Sequence, residues 1–285
     1  MHTVPLPPAV VQDAVARALA EDLGPGDLSL AAVPVDRDVE ATIVAREEGI
    51  LCGRPFVEEA FAQLDGRVAI RWQVEEGTHL AADGTVATLR GPAGPLLSGE
   101  RTALNFLQAL SGTATATAEM VDAVAGTAVR ILDTRKTLPG LRSAQKYAVR
   151  VGGGHNHRHG LFDGVLLKEN HLAWAGGVEP AVRAAREATP HTVGIQVEVE
   201  SLEEFRAALA AGADAVLLDN FSLADLRTAV AGNRGGCFLE ASGNIDLANV
   251  REVAETGVHA ISSGALTRDL ASLDLSMRFG DQTSG

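Results

Sequence analysis

The 285-residue chain is short of cysteine, lysine, net positive charge and long apolar runs, and each shortage excludes something. Its two cysteines, Cys52 and Cys237, show neither metal-ligand nor redox spacing, so a disulfide framework is excluded. Apolar runs such as Ala213 to Leu218 are far too short to span a bilayer. The start, Met1 to Pro8, lacks the basic and apolar regions of a secretory signal, so a reducing cytoplasm is the expected compartment. With 24 Lys and Arg against 37 Asp and Glu, the net charge of −13 argues against nucleic acid or an anionic membrane as partner. Hydrophobic content of 46% with 21% charged residues excludes disorder, and the length predicts one large domain or two ordinary ones.

What positive charge there is gathers in one place. Between Arg130 and His171 eight cations face only Asp133, Asp163 and Glu169, a net of +5 that leaves −18 for the rest of the chain. All three lysines, Lys136, Lys146 and Lys168, fall inside this island, although 21 arginines are spread along the chain. A lysine kept against such a bias points to a need for its compact ammonium, which the planar guanidinium cannot imitate. A cationic island on an acidic protein suits a small, multiply anionic ligand rather than a polymer.

The second half alternates strand and helix. Short aliphatic runs recur at Val129–Asp133, Gly164–Lys168, Ile195–Val199, Ala215–Asp219, Cys237–Glu240 and Ala260–Ser262. Ser201 with Glu204, and Ser222 with Asp225, read as helix starts, and Asp246 opens a third helix that stops at Gly257. This spacing predicts parallel βα units closing into an open, roughly six-stranded α/β barrel. The first half predicts a helix over Pro8–Asp22 and strands at Val39–Arg46, Val68–Val74 and Thr85–Leu89, with a helix near Pro55–Leu64. This amounts to an α/β, sandwich-like domain with an antiparallel sheet. A long helical stretch over Leu96–Ala125 is expected to break at Ser111-Gly112, and alternation over Leu273–Met277 predicts a strand returning to the first sheet. The expected organisation is therefore residues 1–112 as the first domain, 113–269 as the barrel with the site, and 270–285 as the returning strand.

Polar residues collect where the barrel strands end, the rim at which parallel α/β folds bind ligands. Arg135 offers a bidentate fork for a carboxylate, and Lys136 beside it offers a point charge for phosphate. Asn156-His157-Arg158 follows Gly152-Gly153-Gly154, and this second arginine allows two carboxylates to be gripped at once. His155, His157 and His159 alternate without a cysteine or an HExxH context, which argues against a zinc site. Glu198 and Asp219, from neighbouring strands, suit a Mg²⁺–diphosphate or a ribose diol, or else pair structurally with arginine. Ser242-Gly243-Asn244 and Ser263-Gly264-Ala265 follow the last two strands, as phosphate-binding turns do.

These residues resemble the quinolinate phosphoribosyltransferase family. The resemblance runs in order through Ser98–Gly112, Asp133–Gly140, Gly152–Arg158, Leu167–His171, Val197–Glu200, Leu217–Asn220, Glu240–Gly243 and Ser263–Thr267, nearly the whole chain. It implies transfer of phosphoribosyl from phosphoribosyl diphosphate to quinolinate with decarboxylation, in de novo NAD synthesis, with Mg²⁺ as cofactor and a homodimer as the assembly. By resemblance Arg135, His157 and Arg158 hold quinolinate, with Thr134 beside them; Lys136 and Lys168 meet anionic groups, with His171 nearby. Glu198 and Asp219 face ribose and Mg²⁺, and the Ser242 and Ser263 turns take the 5′-phosphate. Lys136, Lys168, Glu198 and Asp219 are the implied catalytic set, and Arg101 would reach a partner subunit's site. One departure stands out: where the family often has a glutamate, this chain has Gln196. Two rivals differ in chemistry: a nicotinate phosphoribosyltransferase, which grips one carboxylate and releases no CO₂, and a non-catalytic anion-binding protein.

Overall fold

The structure, a computed structural model, describes residues 6–280. The ends of two sequence expectations, 1–5 in the opening segment and 281–285 beyond the returning strand, lie outside the described residues. In chain order the elements are α1 (Pro8–Leu23), α2 (Leu28–Ala32), β1 (Asp38–Ala45), β2 (Gly49–Ile50), α3 (Arg54–Leu64), β3 (Ala69–Trp72), β4 (His79–Leu80), β5 (Thr85–Pro92) and α4 (Ala93–Ala123). There follow β6 (Arg130–Leu132), α5 (Arg142–Val151), β7 (Val165–Leu167), α6 (Glu169–Ala175), α7 (Val178–Ala188), β8 (Ile195–Val199) and α8 (Leu202–Ala210). The chain closes with β9 (Ala215–Asp219), α9 (Leu223–Gly232), β10 (Phe238–Ser242), α10 (Val250–Ala254), β11 (Ala260–Ser262), α11 (Ala265–Arg268) and β12 (Leu275–Phe279). Among the described residues no helix is long and apolar enough to cross a membrane.

Two compact units result. The first comprises Met1–Ala118, Leu138–Gly153 and Asp269–Gly285; the second comprises Glu119–Thr137 and Gly154–Arg268. In the first, an antiparallel sheet in the order β12-β1-β5-β3 forms the frame, and the C-terminal strand pairs with β1 from Ala41↔Phe279 to Ala45↔Leu275. Helix α1 buries Val11, Ala14, Val15 and Leu19, a stripe at the three- and four-residue spacing of one helix face. Phe56 stacks on Phe106 with centroids 4.9 Å apart, joining α3 to α4 in the same core.

Helix α4 corrects the expected break. It runs unbroken from Ala93 to Ala123, through Ser111 and Gly112. Both residues serve close packing instead: a Cβ at Gly112 would collide with the carbonyl oxygen of Ala271, and Ser111 Oγ accepts from Cys52 N at 2.9 Å and donates to Cys52 O. A small residue inside a helix can mark a near neighbour rather than an end. The segment 138–153, placed with the barrel by the sequence reading, packs in the first unit. Tyr147 Oη donates to Glu76 at 3.0 Å, and Gly152 lies against Ala114 and Thr117 too closely for any side chain. Helix α10 starts later than expected, at Val250, because Asp246 accepts from Ala248 N in a preceding turn.

The second unit is a parallel six-stranded sheet in the order β6-β11-β10-β9-β8-β7. Its two end strands, β6 and β7, do not pair with each other, so the barrel is open. The side of β6 away from β11 carries one further bridge, Leu132↔His155, which brings the glycine-led segment alongside β6. Strand alternation then sorts the side chains. On β8, Ile195, Val197 and Val199 are buried, while Gln196 and Glu198 share the opposite face.

Candidate active site

The strand ends of the second unit enclose a cavity of about 350 Å³. Its polar lining comprises Thr134, Arg135, Lys136, His157, Arg158, Lys168, Glu198, Asp219, Glu240, Ser242 and Ser262, over an apolar floor of Leu166 and Leu217. Four cations thus meet at one rim: Arg135 and Lys136 in the turn after β6, Arg158 in the segment bridged to β6, and Lys168 directly after β7. A larger cavity of about 430 Å³ in the first unit is lined mainly by α1, α4 and the 138–141 loop. Arg17 is its only lining cation and sits among Glu21 and Asp22, so it has no grip for a polyanion.

The geometry begins at Asp133, fully buried at the end of β6. Its carboxylate accepts His157 N at 2.9 Å and Asn156 Nδ2 at 2.5 Å, which seats the Asn-His-Arg segment beside Thr134–Lys136. Thr134 Oγ1 accepts from Lys136 N at 3.0 Å, and Thr267 Oγ1 donates to Lys136 O at 2.8 Å, so the Arg135-Lys136 turn is held on both sides. Arg158 donates from Nη1 to Gly164 O at 2.9 Å. Burial and the like charge of Arg135 lower the Arg158 pKa, against the pull of Asp163 and Glu198. Asp163 is held below the ordinary aspartate value: burial opposes ionisation, but the amides of Gly160 and His159 outweigh it. Two guanidiniums that repel each other in a half-buried pocket are arranged for a ligand with more than one negative charge.

Opposite them, Lys168 Nζ pairs with Glu198 at 2.5 Å, the lysine 43% and the glutamate 12% exposed. Asp219, on the neighbouring strand, accepts from Asn220 Nδ2 at 2.8 Å. Among the described residues no group of three or more His, Cys, Asp or Glu is arranged to hold a metal ion. Two carboxylates on adjacent strands fit a Mg²⁺ that arrives on a diphosphate and keeps most of its water, not an all-protein cage.

Not every expected residue enters the cavity. His171 is exposed and accepts Lys168 N through Nδ1 at 3.1 Å, so it closes the turn after β7. Ser263 turns its hydroxyl inward to Ile245 O at 2.7 Å, and Oγ also accepts from Ala265 N. Gly264 packs beside Lys136 and Thr134, where a Cβ would press on the lysine side chain. Gly243 (φ 93°) and Asn244 (φ 50°) form a left-handed turn locked to Asn220, whose Oδ1 accepts from Asn244 Nδ2 at 3.1 Å. Arg101 is exposed on α4 and is absent from the cavity lining. Lys146, counted in the cationic island, is buried within α5 of the first unit and is also absent from that lining.

Sequence reasoning missed the interior of the site. Glu240, which the sequence reading gave no role beyond closing the Cys237–Glu240 run, has a side chain 2% exposed. Burial pushes its pKa up, but His157, Ser262 and Gln196 outweigh it and leave it below the ordinary value. Gln196 joins it to His157. The period-two alternation of β8 and β10 could have found both residues, since it turns them to the face that carries Glu198 and Ser242.

Comparison with known proteins covers most of the chain. Residues 27–111 match the N-terminal domain of quinolinate phosphoribosyl transferase and residues 113–278 its C-terminal domain. A Bacillus subtilis protein described as a probable carboxylating nicotinate-nucleotide pyrophosphorylase is 44% identical over 90% of this chain and 89% of its own. The human protein named as the carboxylating nicotinate-nucleotide pyrophosphorylase is 41% identical over 96% of this chain and 93% of its own. The solved structure of the Francisella tularensis nicotinate-nucleotide pyrophosphorylase superposes with a TM-score of 0.94 at 44% identity, covering 98% of this chain and 99% of that one.

Proposed function

The chain belongs to the quinolinate phosphoribosyl transferase family, and from that membership and the chemistry of the cavity we propose that it converts quinolinate and phosphoribosyl diphosphate to nicotinate mononucleotide, CO₂ and diphosphate. The observation that carries this reading is the meeting of Arg135, Lys136, Arg158 and Lys168 in one pocket with Glu198 and Asp219. Arg135 and Arg158 take the two ring carboxylates, and that grip aims the pyridine nitrogen at C1 of the ribose. The nitrogen's electron pair forms the new bond as the C1–oxygen bond to diphosphate breaks, through an oxocarbenium-like transition state. Glu198 and Asp219 face the ribose and stabilise that positive charge, while Lys136 and Lys168 balance the departing anion. The 2-carboxylate then leaves as CO₂, its bonding pair remaining at C2 and taking up a proton, with the quaternised ring as electron sink. Positioning and electrostatics suffice, and no covalent nucleophile is required. When bound, Mg²⁺ would neutralise the diphosphate and sit toward Glu198 and Asp219. Ser242, the Gly243-Asn244 turn and Gly264, whose neighbours Ser263 and Ala265 spend their own amides inside the fold, receive the 5′-phosphate.

The test is a quinolinate-dependent assay for CO₂ and diphosphate, with and without Mg²⁺. Turnover that requires both substrates and the metal is expected. Release of nicotinate mononucleotide from nicotinate, without CO₂, would replace this reading with the one-carboxylate rival.

The proposed assembly is a homodimer that shares its sites, in the reducing cytoplasm, where Cys52 and Cys237 stay free thiols. Leu161, Phe162 and Trp174 are 74%, 82% and 83% exposed, apolar surface of the kind that subunit interfaces cover. Arg101 then serves the partner's pocket. Arg101→Ala and Lys168→Ala, each nearly inactive alone, should complement after joint unfolding and refolding. Random mixing makes half the dimers hybrid with one intact site each, so about a quarter of wild-type activity returns. No recovery, while wild type refolds to full activity, would confine Arg101 to its own subunit.

A further inference from the structure

We propose that Glu240 and Gln196 are positioning residues that hold His157 in its neutral Nε2–H form, so that the ring acts by fixing Arg158 rather than by binding substrate itself. The argument is one of donors and acceptors passed along a chain. An ionised Glu240 can only accept, and its Oε2 takes the Gln196 Nε2 amide hydrogen at 2.9 Å. That orients the Gln196 amide, and its Oε1 is left facing His157 Nε2 at 3.0 Å, where it can only accept. His157 Nε2 therefore carries the proton. On the other side of the ring, Nδ1 accepts the backbone N–H of Arg158 at 2.7 Å, which requires a lone pair there. An imidazolium has none.

The charges around the ring pull both ways. Glu240 Oε2 lies 3.4 Å from Nε2 and favours the protonated ring, as does Asp133, which accepts His157 N. Arg158 and Arg135, which line the same cavity, oppose it, and across the pocket Lys168 is already paired with Glu198. The interposed Gln196 amide decides the matter, because it gives Glu240 a neutral donor and the ring a neutral acceptor. A glutamate at 196 would put a second carboxylate in that place. With backbone N–H on Nδ1 and Nη1 on Gly164 O, Arg158 is held at both ends of the residue, its remaining donors free to grip a carboxylate.

The inference rests on reading this cavity as the dicarboxylate site, but its first test needs no substrate. Long-range ¹H–¹⁵N spectra of histidine-labelled protein at neutral pH, assigned against His157→Gln, should show His157 as the neutral Nε2–H form. A His157 found as imidazolium, or protonated on Nδ1, overturns the proposal. The second test is kinetic. Glu240→Gln lets the 196 amide turn either way, and Gln196→Met removes the bridge. Each should raise the quinolinate KM on the order of 10- to 100-fold, with kcat and the phosphoribosyl diphosphate KM within about threefold of wild type, because a ground-state grip on one substrate is what is lost. Unchanged quinolinate KM in both variants, or equal loss for both substrates, overturns the positioning role. Wild-type protein that never turns over quinolinate would instead overturn the proposed function, and the spectra would still decide the state of the ring.

Discussion

Glu76, partly buried in the first unit, and Glu240, fully buried in the second, are carboxylates that shift in opposite directions. Glu76 accepts the amides of Gly53 and Arg54 at 2.8 and 3.2 Å and the Tyr147 hydroxyl at 3.0 Å, yet burial dominates and its pKa rises. Its surroundings also push the Cys52 thiol well above the ordinary value, first through burial and then through Glu76 itself, and they raise Tyr147 in the same way. Arg54 does not rescue it, because that guanidinium sits over Trp72 and pairs with Glu75 at 2.6 Å. Glu240 is more deeply buried, yet His157, Ser262 and Gln196 together outweigh that burial and keep its carboxyl below the ordinary value. Which donors face a buried carboxylate, and not burial alone, sets the direction of its shift. The first unit uses its carboxylate as a cap for the N-terminus of α3; the second uses its own to order a binding site.

The comparison can be broken first on the binding side. Lys168→Arg keeps the charge but not the compact ammonium that pairs with Glu198, and kcat/KM should fall about 100-fold because an Arg fork displaces the reacting groups. Near wild-type turnover would remove the significance of lysine scarcity in this chain. Arg158→Ala should weaken quinolinate by about 2–3 kcal/mol, the worth of a hydrogen-bonded charge pair, and leave phosphoribosyl diphosphate much less affected. Calorimetry that finds both ligands weakened alike would take Arg158 off the dicarboxylate.

On the structural side, Glu76→Ala leaves two amides and a phenol unsatisfied and should lower stability by about 2 kcal/mol in denaturant titrations. The pH dependence carries the sign. Glu76 has a folded pKa above the ordinary 4.5, so the folded state binds its proton more readily, and stability falls as pH rises through that folded value. Glu76→Gln should flatten that fall. Glu240 has a folded pKa below 4.5, so its contribution is present above 4.5 and is lost as pH drops through the folded value. Glu240→Gln should therefore make the acid loss shallower. Slopes that change in the same direction for both variants would end the contrast. The smallest effect is at the thiols. Burial raises both cysteines, so a neutral-pH thiol reagent should leave Cys52 untouched in the native protein and label half-buried Cys237 only slowly. Fast reaction of Cys52 would mean that the Glu76 cluster opens readily.

Most strands were legible in the sequence. Ile195–Val199, Ala215–Asp219 and Ala260–Ser262 stand where alternation and β-branching put them, and Ser201 and Ser222 cap their helices through Glu204 N and Asp225 N. Those are local properties, carried by neighbours a few residues apart. The cationic rim was legible for a related reason, since strand ends in a parallel fold point one way and bring Arg135, Lys136 and Lys168 to one edge. Gly112 was misread because a near neighbour 159 residues later in the chain leaves no local trace; what excludes a side chain there is Ala271.

What the amino-acid order determined by itself was periodicity, capping and the sign of charge at each strand end, all set by the covalent geometry of adjacent residues. Only the tertiary structure decided which charges are buried and what they face. It took Lys146 away from the pocket, turned the Ser263 hydroxyl inward to Ile245, and placed Gln196 between Glu240 and His157. Desolvation and hydrogen-bond direction depend on atoms brought together from distant segments, and so they exist only once the chain has folded.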